Sequence, residues 1–421
     1  MSASKEFMID YELNSTVETA LQKALSYAGA HSPFYRDLLS TTDLVNVSWE
    51  AIPFTTKEDL STRNDDFRCV PLSEVAEYVT TSGTSGKPVT IYLTRADLER
   101  LAENEKASFE LTGAKAGDIF QLMTTIDKQF MAGLAYYLGV QALKAGMIRI
   151  GPGVPALQWE SILKNKPTIL IAVPSFIINL IDYAKQHDID FKESSVKSII
   201  CIGEPIREDD LTYNILGKRI TDEWDVELFS TYASTEMGAA FTECKAHQGC
   251  HLNEELLFLE VLDDAGNPVA DKETGEIVIT TLGTTGTPLI RYKTGDVARI
   301  YKTACSCGKK SPRLGPILGR KNQLIKFKGT TIYPNAIYEI FDGIPAVSCY
   351  KVEVSKDYMN NDVITVLLEK KIEYSADLQH IIEQCKSKLR VVPHFVFLET
   401  DYLRSQVYKN HMRKPEKIVF K

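Results

Sequence analysis

The assignment of this chain starts from one loop, Thr80-Thr81-Ser82-Gly83-Thr84-Ser85-Gly86-Lys87-Pro88-Val89-Thr90. Its two inner glycines lack a Cβ and can adopt positive φ, so several backbone N–H groups can point into one concavity. Three hydroxyl groups and the Lys87 ammonium add donors and positive charge. The loop can therefore hold a polyphosphate, with these candidate binding residues: Ser82, Gly83, Thr84, Ser85, Gly86 and Lys87.

This loop differs from the common P-loop. The helix-opening pattern G-x-x-x-x-G-K-[ST] is not present, and the following segment, Val89–Leu93, has the composition of a strand. The alternative is a Ser/Thr/Gly hairpin that binds nothing. A motif this short does not decide between the two, so the rest of the chain must.

Size and composition narrow the class of protein. A chain of 421 residues suits a large domain plus a smaller one. Hydrophobic content of 44% and charged content of 25% are typical of a soluble globular protein, and the net charge of −8 argues against a nucleic-acid partner. The most apolar run, Thr168–Val173, is too short to cross a membrane. Residues 1–6 do not resemble a signal peptide, so we expect a cytoplasmic protein.

Strand and helix patterns alternate after the loop. Strands are predicted at 118–123, 147–150, 169–172, 196–202 and 226–229, and helices at 94–111, 133–145, 159–165 and 176–186. In the helix over 94–111, the residues expected to face inward are Leu98, Leu101 and Ala102. A helix is also predicted over 14–39. Alternation of this kind predicts an α/β fold with a parallel sheet covered on both faces. Ligands of such sheets lie beyond the carboxyl ends of the strands, which places the loops after Met123, Ala172 and Ile202 around one crevice.

Four later motifs follow the loop in a recognisable order. They are Gly203-Glu204-Pro205, Ser230–Gly238, Pro288–Asp296 and Gly319–Gly329. Together with the loop they resemble the motifs of the adenylate-forming superfamily (acyl-CoA synthetases, adenylation domains and luciferases), and most closely those of phenylacetate-CoA ligases. The resemblance covers nearly the whole chain. It implies a large α/β domain at 1–320 that binds ATP and the acid, and a small mobile α+β domain at 321–421.

The resemblance implies an adenine site formed by two of these motifs. The backbone of Gly203-Glu204-Pro205 would border the adenine, and Tyr232 would stack on it, with Ala233 and Ser234 beside it. Ala233 stands where the family usually has glycine. Because a Cβ restricts the backbone, this departure bears on the geometry of the loop.

The resemblance also implies the residues that meet the phosphates, the metal and the ribose. Thr235 would donate to the α-phosphate, and Glu236 would hold Mg²⁺, an ion that proteins bind through one or two carboxylates. Asp296 would accept from the ribose hydroxyls, while Arg320 and Lys326, in the segment joining the two domains, would contact the nucleotide. In that segment Asn322 replaces the aspartate that commonly acts as the pivot.

Two further assignments rest on the same resemblance. Phe130 and Tyr137 would line the acid pocket, although both also fit an interpretation as ordinary core aromatics. The C-terminal lysine of adenylation would be Lys414, with Lys409 as the alternative, because the usual Ser-x-Gly-Lys-x-x-Arg pattern is incomplete here. A basic solvated tail remains the other interpretation of this segment.

The eight cysteines are not distributed evenly. Cys69, Cys201, Cys349 and Cys385 occur singly and are expected to pack in cores. The others fall with histidines in two clusters, 244–251 and 305–307, and a closed Zn²⁺ site takes four nitrogen or sulfur ligands. We predict a structural zinc site to which Cys305, Cys307 and Cys244 contribute three ligands. The resemblance favours His251 as the fourth, because Gly249-Cys250-His251 is similar to the Gly-x-His that follows a cysteine in relatives with such clusters. Cys250 and His247 are alternatives to His251, and reduced surface thiols are the alternative to a metal.

These patterns predict an ATP-dependent acid–CoA ligase. A carboxylic acid, aryl if the resemblance extends to the substrate, would react with MgATP to give an acyl adenylate and pyrophosphate, and coenzyme A would then displace AMP. The cofactors would be ATP, Mg²⁺, coenzyme A and structural Zn²⁺, and a homodimer is possible. The alternatives are an acyl-protein synthetase, an enzyme that stops at the adenylate, and a nucleotide-binding sensor without catalytic activity.

Overall fold

A computed structural model describes residues 15–42, 47–81, 89–327, 330–358, 362–408 and 416–421. The chain divides into two compact units. The first comprises Met1–Tyr213, Gly217–Thr294 and Ala298–Ile317, and the second comprises Asn214–Leu216, Gly295–Val297 and Leu318–Lys421. The domain boundary after residue 320 stays a prediction.

The first unit begins with helices α1 (Ser15–His31), α2 (Pro33–Leu38) and α3 (Lys57–Thr62). The prediction of one continuous helix over 14–39 was wrong. The Ser32 hydroxyl accepts a hydrogen bond from the Tyr35 N–H, and Pro33 occupies the first position of α2. A side-chain cap followed by proline starts a new helix, because proline lacks the N–H that a continuous helix would need.

Two short strands flank the glycine-rich loop. β1 (Glu77–Thr80) and β2 (Thr90–Leu93) pair antiparallel, with Thr80 opposite Thr90. The Thr81 N–H donates to the Val89 carbonyl at 3.0 Å, and the Val89 N–H donates to the Thr81 hydroxyl at 3.2 Å. The chain is therefore fixed on both sides of residues 82–88, which lie outside the described residues.

The main sheet has a parallel half whose strands and helices alternate as predicted. The strands are β3 (Ile119–Leu122), β4 (Gly146–Arg149), β5 (Ile169–Ala172), β6 (Ser198–Cys201) and β7 (Glu227–Ser234), in the spatial order β4-β3-β5-β6-β7. The helices are α4 (Arg95–Leu111), α5 (Met131–Ala142), α6 (Pro155–Asn165), α7 (Pro174–Gln186) and α8 (Ile215–Glu223). Every residue of β5 is buried, as expected for a parallel strand covered on both faces.

The same sheet continues beyond β7 with six further strands. Its further strands are β8 (Ala239–Glu243), β9 (Cys250–His251), β10 (Leu257–Leu262), β11 (Thr274–Thr281), β12 (Tyr292–Tyr301) and β13 (Arg313–Arg320). The order from β7 outward is β8-β9-β13-β12-β11-β10. The first half of β7 pairs parallel with β6, whereas its second half pairs antiparallel with β8. β7 is thus the strand at which the sheet changes direction.

The second unit is an α+β domain, as predicted. Its hairpin is β14 (Ile325–Phe327) with β15 (Thr330–Ile332), and its sheet has the order β18-β17-β16-β19. These strands are β16 (Tyr350–Lys356), β17 (Asp362–Glu369), β18 (His394–Leu398) and β19 (Ile418–Phe420). The helices are α9 (Pro334–Asp342), α10 (Ala376–Gln384), which continues as a π-helix over Cys385–Leu389, and α11 (Thr400–Val407). Within the part of the chain that the structure describes, no helix has the length and apolar character needed to cross a membrane.

Glu369, at the end of β17, is a buried acid that organises the second unit. Its carboxylate accepts hydrogen bonds from the Ser348 N–H (2.7 Å), the Ser348 hydroxyl (2.8 Å) and the Cys349 N–H (3.2 Å). Burial raises the pKa of Glu369, but these bonds outweigh it and hold the pKa below its usual value of 4.5. A carboxylate with a lowered pKa stabilises the fold at neutral pH, and this contribution is lost as pH falls through the lowered pKa.

We therefore expect the Glu369→Gln variant to lose about 1–3 kcal/mol of stability in the second unit at pH 7, because two N–H donors lose a charged acceptor. The difference from the wild type should shrink as pH falls from 4.5 through the lowered pKa of the folded protein, where the wild-type carboxylate becomes protonated. Native-state hydrogen exchange of the β16 and β17 amides measures this stability difference at each pH. The exposed Glu383→Gln in α10 is the control, and equal protection in all three proteins at pH 7 would contradict the prediction.

Candidate functional site

The motif of residues 230–238 is divided between a strand and a turn. β7 extends to Ser234, further than the sequence indicated, because its last residues pair with β8 from Thr231 opposite Thr242 to Ser234 opposite Ala239. Residues 235–238 then form the turn between the two strands. Ala233 lies within the paired part and outside the residues with positive φ. A Cβ fits ordinary strand geometry, so the replacement of glycine does not distort the chain here.

The turn presents Thr235 and Glu236 between two anchors. The Met237 N–H donates to the Ser234 hydroxyl at 3.3 Å, and the Met237 side chain is fully buried. Gly238 ends the turn with φ of 57°. Tyr232, on the preceding strand, is half-buried and packs at 5.8 Å between ring centroids against Phe241 of β8. The two polar side chains are therefore carried by a fixed backbone.

A small cavity adjoins this turn. Its lining combines the turn with the start of α4, β2 and the segment after β11: Ile91, Leu93, Asp97, Arg100, Leu101, Met131, Thr235, Glu236, Met237, Gly238, Thr281, Thr284 and Thr287. Thr235 and Glu236 are residues that the resemblance selected, whereas Asp97 and Arg100 were not selected from the sequence. The inward face of α4 was predicted as Leu98, Leu101 and Ala102, whereas Leu98 and Ala102 are only half-buried. Asp97, Asn104 and Glu105 are buried instead.

Asp97 holds α4 to the segment that follows β11. Its carboxylate accepts from the Thr94 N–H in a capping box that starts the helix, and from the N–H groups of Thr285 and Gly286 at 2.8 Å each. A carboxylate that satisfies several backbone donors fixes the segments that carry them. The segment after β11, which contributes Thr284 and Thr287 to the lining of the cavity, is therefore held to α4.

Two loops at the carboxyl ends of neighbouring parallel strands are joined by Glu204. Gly203 follows β6 with φ of 76°, which glycine adopts without strain. The Glu204 carboxylate accepts from the N–H (2.9 Å) and hydroxyl (3.0 Å) of Ser175, in the first turn of α7. The loops after Ala172 and Ile202 thus meet, as the sheet topology predicted. The carboxylate of Glu204 binds the first turn of α7, and the contact of this motif with adenine stays a prediction.

The loop after Met123 reaches the other side of the same sheet edge. Lys128 and Gln129 both have positive φ (61° and 55°), and the Gln129 carbonyl accepts from the Thr80 N–H at 3.0 Å. Non-glycine residues in this conformation are uncommon and persist only where their surroundings fix them. This contact joins the loop after Met123 to β1. The predicted phosphate-binding residues 82–87 themselves lie outside the described residues.

The two predicted acid-pocket aromatics are neither fully buried nor exposed. Phe130 immediately precedes α5 and is half-buried, and so is Tyr137 in the middle of α5. The Arg149 guanidinium, at the end of β4, lies 5.4 Å from the centre of the Tyr137 ring. Sequence patterns gave no reason to select Arg149. The roles of Phe130 and Tyr137 stay predictions.

Three other predicted nucleotide contacts belong to the second unit. Arg320 Nε lies 3.3 Å from Asp296 Oδ1, so the proposed ribose acceptor and the proposed nucleotide cation form an ion pair. Lys326 lies in β14 opposite Thr331. Asn322 is exposed in a short 3₁₀ turn, Lys321–Gln323. Their contacts with a nucleotide stay predictions.

The candidate C-terminal lysines, Lys409 and Lys414, lie outside the described residues, but the chain on both sides of them is fixed. The Glu416 N–H donates to the Val407 carbonyl at 2.9 Å. The buried Lys351 ammonium, from β16, donates to the Gln406 carbonyl at 3.1 Å and to the Glu416 carboxylate at 2.9 Å. Lys351 therefore joins the end of α11 to the start of the last strand.

The predicted metal ligands come together in the first unit. The ligand atoms of Cys244, His251, Cys305 and Cys307 all lie within 4.8 Å of one another. Cys244 Sγ is 3.7 Å from Cys305 Sγ, and Cys307 Sγ is 3.5 Å from His251 Nε2. The other ring nitrogen of His251 lies 3.2 Å from the Ser311 hydroxyl, which fixes the orientation of the imidazole.

The two alternative ligands are directed elsewhere. The Cys250 thiol donates to the Ser230 carbonyl at 3.5 Å. His247 lies between two carboxylates, with Nε2 3.1 Å from Glu227 and Nδ1 3.4 Å from Glu243. Within the described residues the geometry therefore favours His251 as the fourth ligand, the choice made from the sequence.

A buried charge pair supports β8, the strand that ends just before Cys244. Glu243 and Arg207 form a salt bridge with side chains 1% and 6% exposed, and the Glu243 carboxylate also accepts from the Ser230 N–H at 3.0 Å. Burial raises the pKa of Glu243, but hydrogen bonds from His247 and Arg207 outweigh it and leave the pKa below its usual value. Glu243 thus stays charged and joins β8 to β7, next to the cluster of sulfur and nitrogen ligands.

Known proteins share this architecture. Residues 17–287 match the family described as AMP-binding enzyme. The chain is 27% identical over 406 residues to the phenylacetate-coenzyme A ligase of Thermus thermophilus, covering 90% of each chain. It is 26% identical over 360 residues to the phenylacetate-coenzyme A ligase of Escherichia coli K12, covering 84% of this chain and 78% of that one.

Solved structures agree at the level of the fold. A 2-hydroxyisobutyryl-CoA ligase in the postadenylation state superposes with a TM-score of 0.80 and 21% identity, covering 99% of this chain and 91% of that one. The o-succinylbenzoate coenzyme A synthetase of Bacillus subtilis, in complex with ATP and magnesium, gives a TM-score of 0.58 and 17% identity, covering 78% and 67%.

Proposed function

Because this chain belongs to the AMP-binding enzyme family, within the adenylate-forming superfamily, we propose that it is an ATP-dependent carboxylic acid–coenzyme A ligase. The observation that carries the proposal is the turn after β7, which holds Thr235 and Glu236 in place beside the cavity formed with α4. A hydroxyl and a carboxylate on a fixed turn suit the α-phosphate and its Mg²⁺ ion.

The reaction has two steps. First, a carboxylate oxygen of the acid attacks the α-phosphorus of MgATP, the bond to the β-phosphate oxygen breaks, and pyrophosphate leaves. Then the sulfur of coenzyme A attacks the acyl carbon, AMP leaves with the electron pair of the broken C–O bond, and the thiol proton is released. The protein contributes positioning and charge neutralisation rather than a covalent intermediate. The predicted phosphate-binding residues 82–87, Lys414 (or Lys409), Asp296 and Arg320 remain proposals within this scheme.

For the acid we propose an aryl acid such as phenylacetate. The support is the naming of the curated relatives as phenylacetate-coenzyme A ligases, together with an aromatic residue, Tyr137, on α5, the helix that follows the loop after Met123. Phe130 lies at the start of the same helix. An aromatic side chain provides a flat apolar wall on which an aryl group can pack.

For the metal cluster we propose structural Zn²⁺ bound by Cys244, His251, Cys305 and Cys307. Two observations support it: the four ligand atoms lie within 4.8 Å of one another, and the Ser311 hydroxyl lies against the ring nitrogen of His251 on the other side of the imidazole. Thiolate and imidazole are the ligands that zinc prefers, and four protein ligands leave no open position for a substrate. The role would be to join the 244–251 segment to the 305–307 turn.

The proposed function is tested by pyrophosphate release with aryl, alkyl and amino acids, each with and without coenzyme A. We expect an aryl acid to give the fastest release, and AMP and a thioester to form only when coenzyme A is added. An acyl-protein synthetase would release no AMP in response to coenzyme A. Binding of ATP without any acid-dependent pyrophosphate release would contradict the proposal and favour a sensor.

A further inference from the structure

Arg100, in the second turn of α4, joins three segments that are distant in the sequence. Its Nε donates to the Leu282 carbonyl at 2.9 Å, its Nη1 donates to the Gly238 carbonyl at 2.9 Å, and its Nη2 donates to the Leu256 carbonyl. We infer that Arg100 is a positioning residue that fixes the turn carrying Thr235 and Glu236. This inference rests on the proposed function for its effect on catalysis, but not for its effect on the turn.

The contacts of Arg100 use the shape of the guanidinium. Its N–H donors lie in one plane in a fixed fork, so one side chain can bind carbonyls in three directions at once. Burial lowers the pKa of Arg100 to about 10, which leaves the group charged at neutral pH. The hydrogen bonds of a partly desolvated charge replace its lost hydration, so breaking them would leave the guanidinium without compensating partners. The three segments are therefore held strongly to α4.

The contact with Gly238 acts directly on the functional turn. Residues 235–238 are held at their start by the hydrogen bond between Met237 and Ser234, and at their end by the bond from Arg100 to the Gly238 carbonyl. Gly238 has φ of 57°, and a Cβ there would lie 3.5 Å from the Arg100 guanidinium. Without Arg100 the last residue of the turn would lose its partner. A displacement of about 1 Å at a reacting group can cost about 100-fold in rate.

Arg100 is distinct from the cap of its own helix. Asp97, one turn earlier, belongs to the capping box of α4 and holds Thr285 and Gly286 of the segment after β11. Arg100 holds Leu282 of that segment and, in addition, the turn at 235–238. Of these two residues, Arg100 is therefore the one that joins α4 to the turn. Lysine would keep the positive charge of Arg100 but not its hydrogen bonds to three separate carbonyls, because an ammonium is a compact donor on a flexible side chain.

The test compares Arg100→Met and Arg100→Lys with Arg95→Met. Arg95 is exposed at the start of the same helix, so its replacement controls for the loss of a positive charge on α4. Hydrogen exchange of the amides at 235–239 is the first measurement and needs no activity. We expect Arg100→Met to exchange about tenfold faster there, Arg100→Lys to lie between it and the wild type, and Arg95→Met to match the wild type.

The second measurement is acid-dependent ATP–pyrophosphate exchange as a function of Mg²⁺. We expect Arg100→Met to raise the half-saturating Mg²⁺ concentration and lower kcat by about tenfold, while KM for the acid changes less than about twofold. A general loss of structure would change all three together. If the wild type shows no exchange, the proposed function fails and the amide measurement alone decides the role of Arg100. If Arg100→Met folds and its amide exchange at 235–239 is unchanged, the inference is overturned. If Arg100→Met does not fold, Arg100→Lys replaces it: faster exchange at 235–239 supports the inference, and unchanged exchange overturns it.

Discussion

Replacing Glu236 by glutamine is expected to lower acid-dependent pyrophosphate release by about 100- to 1,000-fold, the range found when one preorganised electrostatic contact to a transition state is removed. Glutamine has nearly the same shape, so the turn should keep the hydrogen bond from Met237 to Ser234 and the one from Arg100 to the Gly238 carbonyl. What is lost is the negative charge that the proposed function assigns to Mg²⁺, an ion that prefers carboxylate oxygens. The effect should therefore fall on catalysis and leave the fold intact.

The measurement is pyrophosphate release across a range of Mg²⁺ concentrations. Excess Mg²⁺ should recover part of the lost rate in Glu236→Gln if the carboxylate acts by holding the ion. Glu99→Gln is the control, because Glu99 is exposed on α4 and this substitution removes the same charge from the same unit. A rate within about twofold of the wild type in Glu236→Gln, well below the loss expected for such a contact, would rule out the assigned role.

Replacing Cys305 by serine is expected to remove zinc from the protein and to destabilise the first unit by several kcal/mol. The apparent binding free energy of structural zinc is about 10–16 kcal/mol in small zinc domains, and binding is coupled to folding of the segments that carry the ligands. Here those segments are the loop before β9 and the turn at 305–307, which the metal would hold together. Serine is a poor zinc ligand, so the four-coordinate site could not close.

Metal content and thermal unfolding of the purified proteins measure this effect. The wild type should contain about one zinc per chain and Cys305→Ser close to none, because a structural site needs all four ligands. Cys250→Ser is the matched control: Cys250 is a buried thiol next to His251, but it donates to the Ser230 carbonyl and should leave the metal in place. A wild type without zinc would sink the metal proposal, and zinc loss in Cys250→Ser with retention in Cys305→Ser would reassign the ligands.

The parallel half of the sheet was predictable because its signals are local. Each strand is a short apolar run bounded by turn residues, and each helix has its own apolar period, so the bounds of β5 (Ile169–Ala172) were predicted to the residue. The choice of Cys244, His251, Cys305 and Cys307 also came from the sequence, with the resemblance selecting His251. The structure brings these ligand atoms within 4.8 Å. Proximity between two distant clusters followed from the chemistry of the donors rather than from any local pattern.

The functional contacts of α4 could not be predicted in the same way. A helix with Asp97 and Arg100 among many charged residues looks like an ordinary solvated face. Apart from the capping contact between Asp97 and Thr94, the partners described for both side chains lie more than a hundred residues later. The end of β7 was missed for a similar reason, since its last residues are ordered by pairing with β8. β19 was also missed, because a three-residue strand is identified by its partner, β16, and not by its own composition.

The change of direction at β7 has a consequence for how the chain reaches its native state. The second half of this strand pairs with β8 after a turn of only four residues, 235–238. Its first half pairs with β6, which is separated from it in the sequence by α8. Closing a short loop costs less chain entropy than closing a long one, so the antiparallel arm should assemble first and offer an edge for the parallel arm to join. Residues 235–238 would then have two roles: they would belong to the folding nucleus, and they would carry the carboxylate to which the proposed function assigns Mg²⁺. A substitution that suits one role could therefore harm the other.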